Sequence, residues 1–319
     1  MDKVLVEKRL REEAPTEFRY NYEIIKGSGI WTKGRMQINY DRVFGKLQVD
    51  PATFSGKRVL EIGTFDGALA FYLEDQGADV LAIDVQGAGP TGFALVHELR
   101  QSRVRYEIMN VYDLDPAFLG TFDCITFFGV FYHLKYPLLA FDRLNTVCRP
   151  GGRLFCGGAL GDAFHYNGAL TSGCDFREFT RQNAPSAFHG DAIAAADLPY
   201  CGFVETEYLH DRSNWFLPNR RCVQAWLKRA GFELNTSHVS YSTIERNPGH
   251  DYSKSGLPQV VPGACRASGH FAATRVGPAE PEFDFPEYVG KSLVPTRLAM
   301  EALETRVKEL EEQLEQGRQ

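Results

Sequence analysis

The sequence predicts an α/β fold, a mostly parallel sheet with helices on both faces, and three observations predict it. Short apolar runs recur between amphipathic stretches, the pattern of strands joined by crossover helices. The first run, Arg58 to Ile62, ends at Gly63 and leads directly into a helical pattern. The second ends on an acid, Asp84. A glycine turn at one strand end beside an acid at the next builds a ligand crevice at the carboxyl edge of a parallel sheet.

Taken in order, residues 1–55 are polar and mixed, with aromatics at Phe18, Tyr20, Tyr22, Trp31, Tyr40 and Phe44. They read as a helical segment packed in front of the main domain. After the first strand, Asp66 to Gln76 carries Ala68, Leu69, Phe71, Tyr72 and Leu73, which suits a helix. Further strands are expected at Asp79–Asp84, Val104–Met109, Phe122–Phe128 and Arg153–Cys156. Residues from about 159 to 213, rich in Gly, Ala, His and Asp, are too long for an ordinary connection and are expected to form an insertion or lid over an acceptor. Asn219 is placed to cap a helix carrying Val223, Trp226 and Leu227, with Gly231 just past its end. Strands near 233–240 and 269–275 complete a main domain spanning 56–276. Pro278, Pro281, Pro286 and Pro295 mark 277–295 as an extended linker. In 296–319, Met300, Leu303, Val307, Leu310 and Leu314 form a short heptad stripe of coiled-coil type. Two heptads are marginal alone in water, so this C-terminal helix is expected to pack on its own chain or on a second copy, giving a homo-oligomer.

Composition narrows the function classes. The chain has 319 residues, 44% hydrophobic and 13% aromatic, enough for a sizeable core and unlike a disordered chain. No apolar run reaches the roughly 18 residues of a membrane span. Charges in Met1–Arg9 stand where a secretory signal needs apolar residues. Seven cysteines without a C-x-x-C pair point to reduced thiols in the cytoplasm, not to disulfides or a thiolate zinc site. No metal is expected, because the His and acidic residues of 159–213 copy no ligand spacing. A net charge of −6 argues against a broad nucleic-acid footprint.

The most informative segment is Glu61-Ile62-Gly63-Thr64-Phe65-Asp66-Gly67. A dinucleotide loop needs a small central residue so that the pyrophosphate can meet the backbone, and Phe65 fills that position. S-adenosylmethionine (SAM) carries no phosphate, so an E-x-G-x-x-x-G loop suffices for it, with Asp84 accepting the ribose hydroxyls. A glycine turn with no ligand is the alternative that this loop alone leaves open.

The fourth strand and the segments after it make the match specific. Phe122-Asp123 opens the strand, Gly129-Val130-Phe131-Tyr132-His133-Leu134-Lys135-Tyr136-Pro137 comes next, and Arg149-Pro150-Gly151-Gly152 precedes strand five. Arg212-Ser213-Asn214-Trp215-Phe216-Leu217-Pro218 and Trp226 to Phe232 add a second stretch. Over residues from about 30 to 275 the chain resembles class I SAM-dependent methyltransferases, in particular the branch containing the tRNA wobble-uridine carboxymethyl transferases. The resemblance implies a Rossmann-like, seven-stranded sheet with an antiparallel last strand. It implies a donor site of Glu61, Gly63, Thr64, Phe65, Asp66 and Gly67 at the methionine end and Asp84 at the ribose. Val85, Asn110 and Val111 would lie by the adenine, and Phe128, Gly129 and Tyr132 near the sulfonium, with S-adenosyl-L-homocysteine (SAH) as product. The carboxymethyl members hold an extra donor carboxylate with two basic groups. Here Asn39 and Gly269 stand near those positions, which favours ordinary methyl transfer.

Methyl transfer needs orientation above all, and a base only where the acceptor must lose a proton. His133 is the first candidate base, Tyr132 a pocket residue, and His189 a candidate from the insertion. The expected acceptor is a small metabolite, sugar or natural-product intermediate. The rival readings are a tRNA carboxymethyl transferase and a non-catalytic SAM-binding or assembly module.

Overall fold

The computed structural model describes residues 3–14, 18–161, 199, 201–205, 211–243 and 265–280. Most of the expected lid, His189, the linker beyond residue 280 and the C-terminal helix lie outside the described residues. Among the described residues, no helix is long and apolar enough to cross a membrane.

Strands β1 (Arg58–Ile62), β2 (Asp79–Asp84), β3 (Arg105–Ile108), β4 (Phe122–Phe128) and β5 (Cys148–Leu160) are joined by β8 (Phe232–Thr243) and β9 (Cys265–Arg275) in one sheet of order β3-β2-β1-β4-β5-β9-β8. Neighbours from β3 to β5 pair in parallel, whereas β9 runs antiparallel to both β5 and β8. The order reverses between β1 and β4, and that switch point opens the crevice predicted from the sequence. The centres of β1 and β2, Val59-Leu60 and Val80-Leu81-Ala82-Ile83, are apolar because both faces are covered.

Among the described residues, the helices are α1 (Lys3–Glu13), α2 (Tyr40–Lys46), α3 (Ala68–Asp75), α4 (Ala88–Thr91), α5 (Phe93–Arg100), α6 (Pro116–Leu119), α7 (Pro137–Val147) and α8 (Arg220–Arg229). On one face of the sheet Leu60, Phe127, Leu154 and Phe271 pack with Phe141 and Leu144 of α7 and Val223 and Leu227 of α8. On the other, Val59, Phe155 and Ala272 pack with Phe44 of α2, Phe71 of α3 and Phe93 of α5. Asn219 caps α8 as expected, its Oδ1 accepting the Cys222 N–H at 2.8 Å. Gly231 comes after the helix with φ of +77°, in the left-handed region that glycine tolerates.

The N-terminal segment is helical only in part. Residues 18–36 run extended, with bridges between Tyr20 and Met36 and between Glu23 and Trp31. Gly27 and Gly29, both at positive φ, turn the chain back between them. A two-stranded unit pairs β6 (Cys201–Phe203), inside the stretch expected to be the insertion, with β7 (Phe216–Pro218), just after it. The Trp215 N–H donates to Tyr132 O at 2.8 Å, which ties this unit to the loop after β4.

Candidate active site

The loop after β1 is built to let a ligand approach. Gly63 has φ of +77°, and a Cβ there would lie 2.5 Å from Val130 Cγ2, so the loops after β1 and β4 meet across it. Gly67 has φ of +87°, and a Cβ there would overlap the Phe71 and Phe93 rings. Phe65 is also left-handed, with φ of +51°. The Asp84 carboxylate fixes this loop: Oδ2 accepts the Phe65 N–H and Oδ1 the Gln86 N–H, each at 2.9 Å. Each oxygen keeps a second lone pair for a ribose hydroxyl. Val85, next in the chain, is 65% exposed, an apolar surface suited to an adenine edge.

Three buried polar atoms at this loop have no hydrogen-bond partner: Glu61 Oε2, Thr64 Oγ1 and Asp66 Oδ1. Buried polar groups are normally satisfied, so these orphans fit an incoming polar ligand such as the amino-acid end of SAM. Burial raises the Glu61 pKa to about 8, opposed by the nearby Thr64 hydroxyl and reinforced by the Asp84 and Asp66 charges. Burial also raises Asp66 to about 6, against backbone N–H donors that include Tyr20. The N-terminal segment holds Asp66 in place: its Oδ2 accepts the Tyr20 N–H at 2.8 Å, and the Tyr22 hydroxyl donates to its backbone oxygen.

Two other expected donor residues are partly occupied. Asn110 Oδ1 accepts the Tyr112 N–H at 3.1 Å, capping the turn after β3, so an adenine contact would share that oxygen. The Val111 side chain is buried in the core, which leaves its backbone to meet a donor. Phe128 and Gly129 end β4 beside the crevice, and the Gly129 N–H donates to Gly157 O at 2.8 Å.

His133 lies in the turn Phe131–His133 after β4. Its Nδ1 lies 2.9 Å from Ser213 Oγ, and the Ser213 hydroxyl donates to Asp211 Oδ1. With the serine proton committed to the aspartate, Nδ1 is the donor to Ser213 and Nε2 carries the lone pair. Burial pushes the His133 pKa down, against the pull of Asp211. Burial opposes ionised Asp211 too, but the Ser213 hydrogen bonds and the His133 and Arg19 charges hold its carboxyl below the ordinary range. Tyr132 packs against the His133 ring at 4.2 Å between centroids. The Arg19 guanidinium lies 5.4 Å over the Phe65 ring, and its charge reaches Asp66, His133 and Asp211. Sequence reasoning singles out His133 but misses Arg19, Asp211 and Ser213. The signal for the last two is the position of Ser213 within the second matching stretch.

Residues 32–237 match a family model described as a methyltransferase domain. The chain belongs to the class I SAM-dependent methyltransferases. It is 26% identical to a tRNA U34 carboxymethyltransferase of Desulforapulum autotrophicum over 65% of this chain and 53% of that one. It is 32% identical to a ubiquinone biosynthesis O-methyltransferase of Nitrosococcus oceani over 60% of this chain and 71% of the relative. The chain thus spans about half the length of the first of these relatives. Among solved structures, the N-terminal domain of EvdMO1, crystallised with SAH and D-fucose, superposes with a TM-score of 0.51 at 18% identity, covering 86% of this chain and 97% of that one. The methyltransferase fold read from the sequence is therefore the observed one.

Asn39 and Gly269, which stand near the positions that the resemblance makes basic, carry no charge, although Lys33, Arg35 and Arg266 are close to them in the sequence. Asn39 is the N-cap of α2, its Oδ1 accepting the Arg42 N–H at 2.8 Å. A Cβ at Gly269 would lie 2.5 Å from Leu160 Cδ1 and 3.0 Å from Phe271 Cε2, so a side chain at that point of β9 would have to displace Leu160.

Replacing Asp84 with alanine is expected to weaken SAH binding by about 1.5–3 kcal/mol, the range for hydrogen bonds to a charged group. Calorimetry measures this directly, and an unchanged affinity would mean that the ribose lies elsewhere.

Proposed function

We propose that this chain transfers a methyl group from SAM to a nucleophilic atom on a small metabolite, sugar or natural-product intermediate. The observation carrying this reading is the pairing, in one methyltransferase fold, of a glycine loop with orphaned polar atoms after β1 and an Asp211–Ser213–His133 hydrogen-bond chain at the turn after β4. Glu61 suits the donor ammonium, Asp84 the ribose hydroxyls and Val85 the adenine. Bound SAM supplies a methyl group on a cationic sulfur, already activated for displacement. The remaining work is orientation and exclusion of water, which falls to Tyr132, Phe128 and the loop after β4. His133 Nε2 takes the acceptor's proton, while Asp211, acting through Ser213, fixes the ring and stabilises the resulting cation. The non-basic Asn39 and Gly269 support methyl over carboxymethyl transfer.

Calorimetry on the full chain should detect SAM and SAH binding and no NAD binding, because Phe65 occupies the approach a pyrophosphate needs. Labelled SAM presented with a panel of hydroxylated metabolites, sugars and tRNA then identifies the acceptor class. NAD binding without SAM binding would overturn the donor assignment, and turnover of tRNA alone would overturn the acceptor class.

A further inference from the structure

Strand register brings together a second polar group, one that methyl transfer through His133 does not use. Phe128 of β4 pairs with Gly157 of β5, Gly157 with His270 of β9, and His270 with His238 of β8. Residues paired in register share a face, so these four form one row across the carboxyl edge of the sheet. The next row on that face is Ala159, Ser268 and Ser240. Helix α2 lies over it: the Phe44 ring is 6.2 Å from Phe128, and Lys46 Nζ donates to Ser240 Oγ at 2.9 Å.

Gly157 makes the row possible. A Cβ there would lie 3.0 Å from His270 Cδ2 and 3.1 Å from Phe128 Cδ1. The imidazole therefore reaches to 5.8 Å from the Phe128 ring, beside the strand end that enters the donor crevice. His270 Nδ1 is buried and has no hydrogen-bond partner. Lys46 and His238 both act on this ring, and burial with those two groups lowers its pKa to about 4. Neither row contains a carboxylate. In a chain of net charge −6, this is a local concentration of N–H donors around one ammonium.

Building on the methyl-transfer reading, we infer that Lys46, His270 and His238 form the subsite that recognises a carboxylate on the methyl acceptor. One ammonium with imidazole donors matches a single negative charge. A phosphate, carrying nearly two, would call for more cationic charge than the row holds. The subsite lies beside the strand end at Phe128, so it would fix which acceptor atom faces the donor, whereas His133 handles the proton. This makes Lys46 and His270 specificity-determining residues and predicts carboxylated acceptors over their neutral analogues.

The test uses the full chain saturated with SAH, with benzoate as the probe and benzamide as its uncharged analogue. Binding is read by calorimetry and by the histidine ring resonances in NMR spectra. Benzoate should bind at least tenfold more tightly than benzamide and shift the His270 ring signal. Lys46→Met and His270→Gln should each remove that preference while leaving SAH affinity within about twofold, which also reports that the variants are folded. Equal binding of the two probes, absence of benzoate binding, or variants that bind benzoate as the parent does would each overturn the subsite. A preference of the parent chain for carboxy-SAM over SAM that disappears in both variants would assign the row to a carboxylate on the donor, and would overturn the acceptor assignment. Failure of the parent chain to bind SAH is a separate result: it would remove the donor reading and this inference with it.

Discussion

His133→Ala is expected to lower kcat by about 10²–10⁴-fold, the usual contribution of a positioned acid or base, with SAH affinity unchanged within about threefold. The two effects should separate if, as proposed, His133 serves the acceptor while Glu61 and Asp84, on β1 and β2, serve the donor. Asp211→Asn supplies the finer test. In the parent chain burial lowers the His133 pKa and Asp211 opposes that shift. Removing the aspartate charge therefore drops the histidine pKa further. A base acts in its neutral form, so activity falls on the acid side as His133 protonates. That limb should already lie below the ordinary histidine range of about 6.5, and it should move to still lower pH in Asp211→Asn. The plateau kcat should also fall, since the ring loses its orientation and the stabilisation of its cation. A pH–rate profile of both variants on the acceptor found by the panel measures this. An acid limb that stays in place in Asp211→Asn would show that His133 is not the titrating base.

Legibility in the sequence tracks the physics of each element. β1, β2 and β4 are readable to the residue because each has a short, largely apolar centre buried within the sheet. β5 extends beyond its apolar run: Arg149-Pro150-Gly151-Gly152 looks like a turn, yet strand geometry runs from Cys148 to Leu160, with a register shift against β4 between Phe122 and Cys124. In 18–36 the aromatics suggest a helical segment. Their alternation at Phe18, Tyr20 and Tyr22, with Gly27 and Gly29 beyond, is the better signal, and it points to extended chain. The donor half of the site is legible since loop and acid lie within one βαβ unit. The acceptor half is not. His133 and Ser213 are 80 residues apart, and Lys46 and Ser240 are 194 apart. His270 looks like any polar residue of a strand until the pairing of β5 with β9 puts it in one row with Phe128. Side chains brought together only by register and crossover leave no local spacing to read.

The free protein should lose stability as pH rises from 6 to 8, and Glu61→Gln should abolish that loss. The Glu61 carboxyl is held near pKa 8 by burial, against about 4.3 in an unfolded chain. Between those values the folded state binds more protons than the unfolded one, so stability falls with rising pH at up to about 1.4 kcal/mol per unit. Asp66 adds a similar slope, but its pKa is near 6, so its contribution is spent below the window. Across pH 6 to 8 the loss attributable to Glu61 is about 2–3 kcal/mol. Glutamine is neutral at every pH, so the variant's lead over the parent should grow by that amount between pH 6 and pH 8 in denaturant titrations. Donor binding should show the complementary effect. A ligand ammonium set against Glu61 favours the ionised carboxylate, so SAH binding at pH 7 should release close to one proton. Calorimetry in two buffers of different ionisation enthalpy counts that proton, and the count should fall to near zero in Glu61→Gln. SAH should also bind more weakly to the variant, and its stabilising effect on the parent should grow from pH 6 to pH 8. A parent chain that releases no proton and shows no excess pH slope would mean that Glu61 is ionised before the donor arrives, and the orphaned oxygen at the end of β1 would then have another partner.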